Sequence, residues 1–302
     1  MSIFVALIIK KYYCLYFNQN ETKKTSFMNN IILVPTDFSE VCNNAANQAV
    51  EAAKFFKFEV KLLHVIDKNT KAFLKDENLD MESINARLET LAKELNQKYG
   101  VNVSYLSKEG DIFTTIAQVT EEIGAKLVYL GTHGKIGMQK LTGSFALKVI
   151  TSSPAPVITV QKKKFENGFS KIVLPITSDA GPWEKTKWAT FIAKQFNASI
   201  EILQLAGDPL NATVKTMTDH FDEAGVKHST KIEEKGGDFA KKVIDYATAI
   251  NSDLIMIMTN PDTNWTNYLL GSYDEDIIFN TSQIPTLCIN PRKFNWEKIV
   301  NY

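Results

Sequence analysis

The chain has 302 residues, 44% of them apolar, with 34 basic and 34 acidic side chains and no net charge. That length holds one large or two medium domains, and the apolar share is ordinary for a globular protein. The charge balance excludes a global field that would draw nucleic acid or an anionic membrane, although local basic sites remain open.

The N-terminus begins with a seven-residue apolar run, Ile3 to Ile9, followed by Lys10-Lys11. A spanning helix needs roughly 20 apolar residues, and a signal peptide places its charges before the apolar run. Neither pattern fits. Residues 1–27 read as an extension, with Met28 as the expected start. A short amphipathic membrane contact is the lesser alternative.

From Met28 the chain is regular. Ile31 to Pro35 is a short apolar strand ending in Pro-Thr-Asp, and Ser39 is placed to cap a helix. Cys42, Ala45, Ala46, Ala49, Ala53 and Phe56 give that helix its apolar face. Val60–Ile66 (VKLLHVI) predicts a buried strand. Met81, Ile84, Leu88, Leu91 and Leu95 predict a helix, and the alternating run Val101–Leu106 a strand. Asp111 caps a further helix whose face is Ile112, Ile116, Val119 and Ile123. Strands follow at 125–130 and 155–160. Strands alternating with helices argue for right-handed parallel βαβ units in a doubly wound sheet.

The second half repeats the first. KIVLPITSD at 171–179 echoes NIILVPTDFS, and IEILQLAG echoes VKLLHVID. Phe239, Val243, Tyr246 and Ile250 each follow Ile112, Ile116, Val119 and Ile123 by 127 residues. Gly271-Ser272 follows Gly143-Ser144 by 128. Trp188, Phe191, Ile192 and Phe196 give the first helix of the second copy its face. The expected division is therefore an extension at 1–27, a domain at 28–162, a charged linker, a second domain at 169–292, and a tail at 293–302. The expected fold is α/β: two tandem doubly wound, parallel, five-stranded sheets, Rossmann-like.

In an open α/β sheet, ligands sit beyond the carboxyl ends of the strands, at the switch in strand order. Pro35-Thr36-Asp37 ends the first strand and Gly131 the fourth. A glycine loop tolerates positive φ and admits backbone N–H groups to a phosphate. Gly143-Ser144 then opens a helix whose amides and dipole suit an anion. Asp37 is placed to accept from a ribose hydroxyl and Val65 to line an adenine. A strand–loop–helix with only a packing role is the bland alternative. No GxxxxGK[ST] loop occurs.

PTDFSE, LLHVID and GTHGKIGMQKLTGS together resemble the universal stress protein family (UspA-like) in its tandem-domain form, from Met28 to Pro291. The resemblance implies an adenine nucleotide α-hydrolase-like fold, a cytoplasmic location and ATP as the ligand, with or without Mg2+. It implies an ATP site made of Pro35, Thr36, Asp37, Val65, Gly131, His133, Gly134, Lys135, Gly143, Ser144 and Phe145. The family's spacing is Gly-x2-Gly-x9-Gly-(Ser/Thr), whereas Gly134 and Gly143 here enclose eight residues. The missing residue falls in a loop, and Gly137 supplies flexibility.

The second half departs further, with Thr177 for Asp37, Leu205 for Val65, and Thr259 and Asp262 for Gly131 and Gly134, Pro261 lying between. A carboxylate repels phosphate and proline removes an amide donor, so the second half is not expected to bind ATP in this mode. Its role is to pack against the first as an intramolecular pseudo-dimer; further dimerisation of the chain is left open. Trp265, beside the degenerate loop, is a candidate to fill the space of a nucleotide.

Cys14, Cys42 and Cys288 form no CxxC or Cys/His cluster, so no disulfide framework or metal site is implied and a reducing compartment fits. Cys42 and Cys288 are expected to be buried. His133 reads as a ligand contact rather than a base, having no aligned nucleophile. Lys135 neutralises phosphate or is a solvated loop lysine. His64 reads as a satisfied strand residue, and His220 and His228 as isolated and exposed. The leading function is an ATP-binding stress regulator or sensor, with weak hydrolysis at most and no catalytic residue. The alternative is a scaffold of the same fold that binds no nucleotide, its fifth strands pairing across the pseudo-dimer. An enzyme of the wider class would need HIGH or SGGxDS, and neither occurs.

Overall fold

The computed structural model describes residues 30–133, 142–164, 168–177, 182–259 and 272–290. The first half runs β1 (Ile31–Pro35), α1 (Glu40–Phe56), β2 (Glu59–Ile66), α2 (Lys68–Asp76), α3 (Met81–Tyr99), β3 (Val103–Glu109), α4 (Ile112–Glu122), β4 (Leu127–Gly131), α5 (Thr142–Ser152) and β5 (Val157–Val160). The second runs β6 (Lys171–Ile176), α6 (Pro182–Phe196), β7 (Ser199–Leu205), α7 (Asp208–Glu223), β8 (His228–Glu233), α8 (Phe239–Ala249), β9 (Leu254–Met258), α9 (Ser272–Ile278) and β10 (Thr286–Ile289).

Local chemistry starts these helices where the sequence signals them. The Ser39 side chain accepts from the Cys42 amide, and Asp111 accepts from Phe113 and Thr114. Each cap satisfies amide donors that a first helical turn leaves free. The strands alternate: Ile32 and Val34 face the layer of α1 and α3, while Leu33 faces α4 and α5. The same division continues through the second half, so one apolar cluster on each face runs across both halves.

Each half is a parallel five-stranded sheet, and the two join into one ten-stranded sheet of order β3-β2-β1-β4-β5-β10-β9-β6-β7-β8. The join is antiparallel, pairing Thr159 with Thr286, Ile158 with Leu287 and Val157 with Cys288. An edge strand leaves its backbone groups unpaired, and here the fifth strand of each half satisfies the other. Asn290 reinforces the join by donating to Ile150 O at 2.6 Å and Ser153 O at 3.1 Å.

Three elements had no counterpart in the periodicity. Helix α2 is polar and buries only Leu74. Strand β8 is a largely exposed edge, and α7 carries a mixed pattern. Strand β3 begins at Val103 rather than Val101, its alternation blurred because it too is an edge. Among the described residues, no helix is long and apolar enough to cross a membrane. The expected extension at 1–27 and tail at 293–302 lie outside the described residues, as does Cys14. Cys42 and Cys288 are buried, as expected.

An aromatic seam closes one face between the halves. Phe56 meets Phe191 at 5.4 Å and Phe196 at 5.3 Å between ring centroids, and Phe169 stacks edge-on to Phe196 at 4.8 Å. The linker reaches this seam through Gly168, where φ is 79° and a Cβ would lie 2.7 Å from the Phe196 ring. We expect Phe56→Ala to cost about 3–5 kcal/mol, read from the urea midpoint by circular dichroism. A loss under about 1 kcal/mol, below the usual range for a buried aromatic, would mean the seam is not a shared core.

Candidate functional site

Strands β1, β2 and β4 end on one edge of the sheet, and the chain order reverses between β1 and β4. A cavity of about 330 Å3 lies beyond these ends, at the lower limit of the ~300–1,000 Å3 typical of small-molecule sites. Pro35, Thr36 and Asp37 contribute from β1, and Leu63, His64 and Val65 from β2. Leu130 and Gly131 come from β4, Thr132 and His133 from the residues just after it, and Phe145, Ala146 and Val149 from α5. Ile112 and Ile116 close one side, Cys42 lies on α1, and Asp67, Asn69 and Thr70 open α2. The inner wall is apolar and buried, whereas Asp37 is exposed.

The turn carrying Asp37 is tied down at several atoms. The Thr36 amide donates to Leu63 O, and Thr36 Oγ1 accepts from the Phe38 amide at 3.0 Å. Asp37 Oδ1 accepts from the Ser39 amide at 2.8 Å. Partial desolvation at the cavity mouth raises the Asp37 pKa, but hydrogen bonds from Ser39 and Cys42 outweigh it and hold the carboxyl below its ordinary value. Phe38 takes a left-handed backbone at φ 65°, uncommon for a bulky residue. Its ring stacks on His64 at 5.0 Å, and the Arg87 guanidinium lies 4.2 Å from its centroid.

His64 is buried, with Nδ1 2.8 Å from Thr36 O and Nε2 3.3 Å from Thr70 Oγ1. A carbonyl oxygen only accepts, so Nδ1 carries the proton. Burial lowers the ring's pKa from its ordinary value; the neutral ring turns an unprotonated Nε2 toward Thr70, whose hydroxyl donates to Asp67 Oδ1 at 3.1 Å. The satisfied strand histidine expected here is found, and it also lines the cavity. At the cavity base, the Cys42 thiol is pushed up to about 12 by burial and then by Asp37, so it stays protonated.

Gly131 is required for a different reason than the sequence suggested. A Cβ there would lie 2.7 Å from Val41 O and 2.8 Å from the Cys42 amide. The first turn of α1 rests against the end of β4, and only glycine leaves room. Seven of the eleven expected residues line the one cavity: Pro35, Thr36, Asp37, Val65, Gly131, His133 and Phe145. Gly143 and Ser144 fall in the first turn of α5. Gly134, Lys135 and Gly137 lie outside the described residues. The polar corner formed by Asp67, Asn69 and Thr70 was not anticipated, although Asp-x-x-Thr after a strand is a helix-capping signal.

The second half has been rebuilt at the same place. The pairings Pro35–Leu63 and Pro175–Leu203 make Thr177 and Leu205 equivalent to Asp37 and Val65. The pairings Gly131–Val160 and Met258–Ile289 correct one alignment: Met258, not Thr259, stands where Gly131 does. Thr259 matches Thr132 instead, each amide donating to the last residue of the neighbouring strand. Lys185 follows Ala45 at the same offset as Pro175 follows Pro35, and its buried Nζ donates to Pro175 O at 2.7 Å. Asp274, also buried, follows Ala146 at the Gly-Ser offset. Burial brings the Lys185 pKa down to about 7, against the opposing pull of Asp274. Pro261, Asp262 and Trp265 lie outside the described residues.

His220 and His228 are neither isolated nor fully exposed. His220 meets Trp183 edge-on at 5.0 Å, and His228 Nε2 lies 3.0 Å from Asp222. Both follow from the helix α7, which the sequence pattern did not reveal. Among the described residues, no three His, Cys, Asp or Glu side chains are grouped to hold a metal ion.

The Universal stress protein family model matches residues 28–161. A universal stress protein of Methanocaldococcus jannaschii is 34% identical over 143 residues, covering 45% of this chain and 84% of that protein. The chain belongs to the universal stress protein family. A second universal stress protein of the same organism is 32% identical over 161 residues, covering 46% of this chain and 98% of its own length. A solved universal stress protein from Archaeoglobus fulgidus superposes with a TM-score of 0.73 over 87% of this chain and 99% of that one, at 19% identity. A Pseudomonas aeruginosa protein of unknown function gives 0.62 over 88% and 95%, at 18%. At those identities the likeness is one of fold, and it spans both halves.

Two outcomes follow from this geometry. Gly131→Ala is expected to cost about 1–3 kcal/mol in urea unfolding, because backbone, not a flexible side chain, must move; a neutral effect would mean α1 shifts freely. Between pH 7 and 9 the folded Lys185 has released a proton that the unfolded lysine, with its ordinary value of 10.5, retains. The unfolded state then binds more protons, so stability rises with pH by at most about 1.4 kcal/mol per unit. Below pH 7 this contribution is flat. Urea midpoints at pH 7 and 9 should show a rise that the Lys185→Met/Asp274→Ala double variant lacks; equal slopes would place the Lys185 pKa near its ordinary value.

Proposed function

We propose that the first half binds ATP at the β1–β4 switch point and that the chain is a cytoplasmic stress regulator or sensor. The observation that carries this is the convergence of Pro35, Thr36, Asp37, Val65, Gly131, His133 and Phe145, from separate elements, on one cavity. Leu63, Val65 and Ile116 offer an apolar slot for a purine, and charged Asp37 accepts from ribose hydroxyls at its mouth. Asp37 and Asp67 repel phosphate, so the triphosphate must run away from them, toward the first turn of α5. There the amides around Gly143-Ser144 suit an anion. Where Mg2+ accompanies ATP, it neutralises phosphate charge, and no protein cluster is needed to hold it.

The reading includes no catalytic step, and hydrolysis is weak at most by family likeness. The second half takes no nucleotide in this mode, since Met258, Lys185 and Asp274 occupy the positions of Gly131, Ala45 and Ala146.

Isothermal titration of ATP with Mg2+ tests this directly. We expect one site per chain, and Asp37→Ala to weaken it about tenfold, the order of one lost hydrogen bond to a charged acceptor. No heat in the wild type, with the fold confirmed by circular dichroism, would favour the scaffold reading. Two sites per chain would overturn the assignment of the second half.

A further inference from the structure

We propose that His64 is the positioning residue of this cavity: by donating from Nδ1 to Thr36 O, it sets the turn that presents Asp37. The proposal rests on the nucleotide reading above and assigns that site a residue that touches no phosphate or ribose itself. Strand β1 ends at Pro35, so the Thr36 carbonyl lies past the last ladder pair and takes its hydrogen bond from a side chain. The same ring reaches Thr70 in the first turn of α2, whose amide donates to Asp67 Oδ1 at 2.8 Å. One buried ring therefore joins the turn after β1, the body of β2 and the start of α2, three walls of one cavity. Its face also supports Phe38, whose left-handed backbone follows Asp37 directly.

The second half supplies an internal comparison. Gln204 stands at the position of His64, equally buried, and its Nε2 donates to Asn211 of α7. That half keeps a strand-to-helix link, but Ile176 and Thr177 replace Thr36 and Asp37. The donor to the turn thus goes with the half that carries the ribose-binding aspartate. A merely space-filling residue in a strand flanked by Leu63 and Val65 would be served by another aliphatic side chain. A ring with a nitrogen on each side, one donating to Thr36 O and the other against Thr70, serves both links.

Two substitutions separate the links, because an asparagine amide nitrogen falls near Nδ1 and a glutamine amide nitrogen near Nε2. His64→Asn keeps the donor to Thr36, and His64→Gln keeps only the reach to Thr70. The full chain would be titrated with ATP and, separately, with adenosine, which shares the ribose but carries no phosphate. We expect His64→Gln to raise both dissociation constants about tenfold and His64→Asn to stay within about twofold. In the free protein, amide hydrogen exchange at Phe38 and Ser39 should quicken in His64→Gln alone. Near-UV circular dichroism and the urea midpoint confirm that each variant is folded. Wild-type binding in His64→Gln, or equal losses in both variants, would overturn the proposal. If the wild type binds neither ligand, the nucleotide reading falls by itself, and exchange decides the tie: faster in His64→Gln upholds it, unchanged overturns it.

Discussion

The antiparallel pairing of β5 with β10 is the contact on which the rest of the arrangement depends. A parallel five-stranded sheet ends in an edge whose backbone groups need partners. Three cross-strand pairs, Thr159–Thr286, Ile158–Leu287 and Val157–Cys288, meet that need within one chain. Because the pairing is antiparallel, the carboxyl ends of the strands point to opposite edges of the sheet in the two halves. Each half therefore has its own carboxyl edge, the position where open α/β sheets take ligands. The remaining edges are β3 and β8, and both carry charge, Lys108 and Glu109 on one, Lys231 and Glu233 on the other. Charged side chains on an edge discourage further strand addition.

Equivalence of scaffold makes the difference between the carboxyl edges informative. In the first half, Gly131 lets the opening turn of α1 sit against β4, and Ala146 lines the cavity with a small side chain. In the second, Met258, Lys185 and Asp274 stand at those positions. A buried lysine and aspartate carry a desolvation cost that their attraction only partly offsets. Such a pair is poorly explained by stability, since apolar residues would fill the space as well. It places two ionisable side chains in the second half at positions where the first half has Ala45 and Ala146.

The βαβ rhythm, the duplication and most of the cavity were legible because each rests on local pattern. Ser39 and Asp111 cap the helices they precede, and Pro35-Thr36-Asp37 and Gly131 mark strand ends. What escaped was set by tertiary context. Helix α2 buries one leucine, too few for a periodic signal, yet its first turn brings Asp67 and Thr70 to the cavity. The alignment of Gly131 with Thr259 failed by one residue because the loop after each strand differs in length. The hydrogen-bonded register with β5 and β10 shows that Met258 is the true counterpart, at the same 127-residue offset as the helix before it. The reason for glycine at Gly131 was also hidden: its neighbours Val41 and Cys42 are distant in sequence.

The charge of the crevice adds a direction that residue matching alone does not. Asp37 and Asp67 stand on the β1–β2 side, while the first turn of α5 stands on the β4 side. An anion is repelled by the former and drawn by the helix N-terminal dipole of the latter. On the proposed nucleotide reading, a ligand with an apolar base, a polyol and a phosphate chain would take one orientation, base against Leu63 and Val65, hydroxyls at Asp37, phosphates toward α5. A neutral nucleoside would feel the first two of these interactions and not the third. The extra affinity of ATP over adenosine would then measure the α5 side alone, whereas a change common to both ligands would report on the Asp37 turn. That separation is what makes the buried ring of His64 distinguishable from any residue that contacts phosphate.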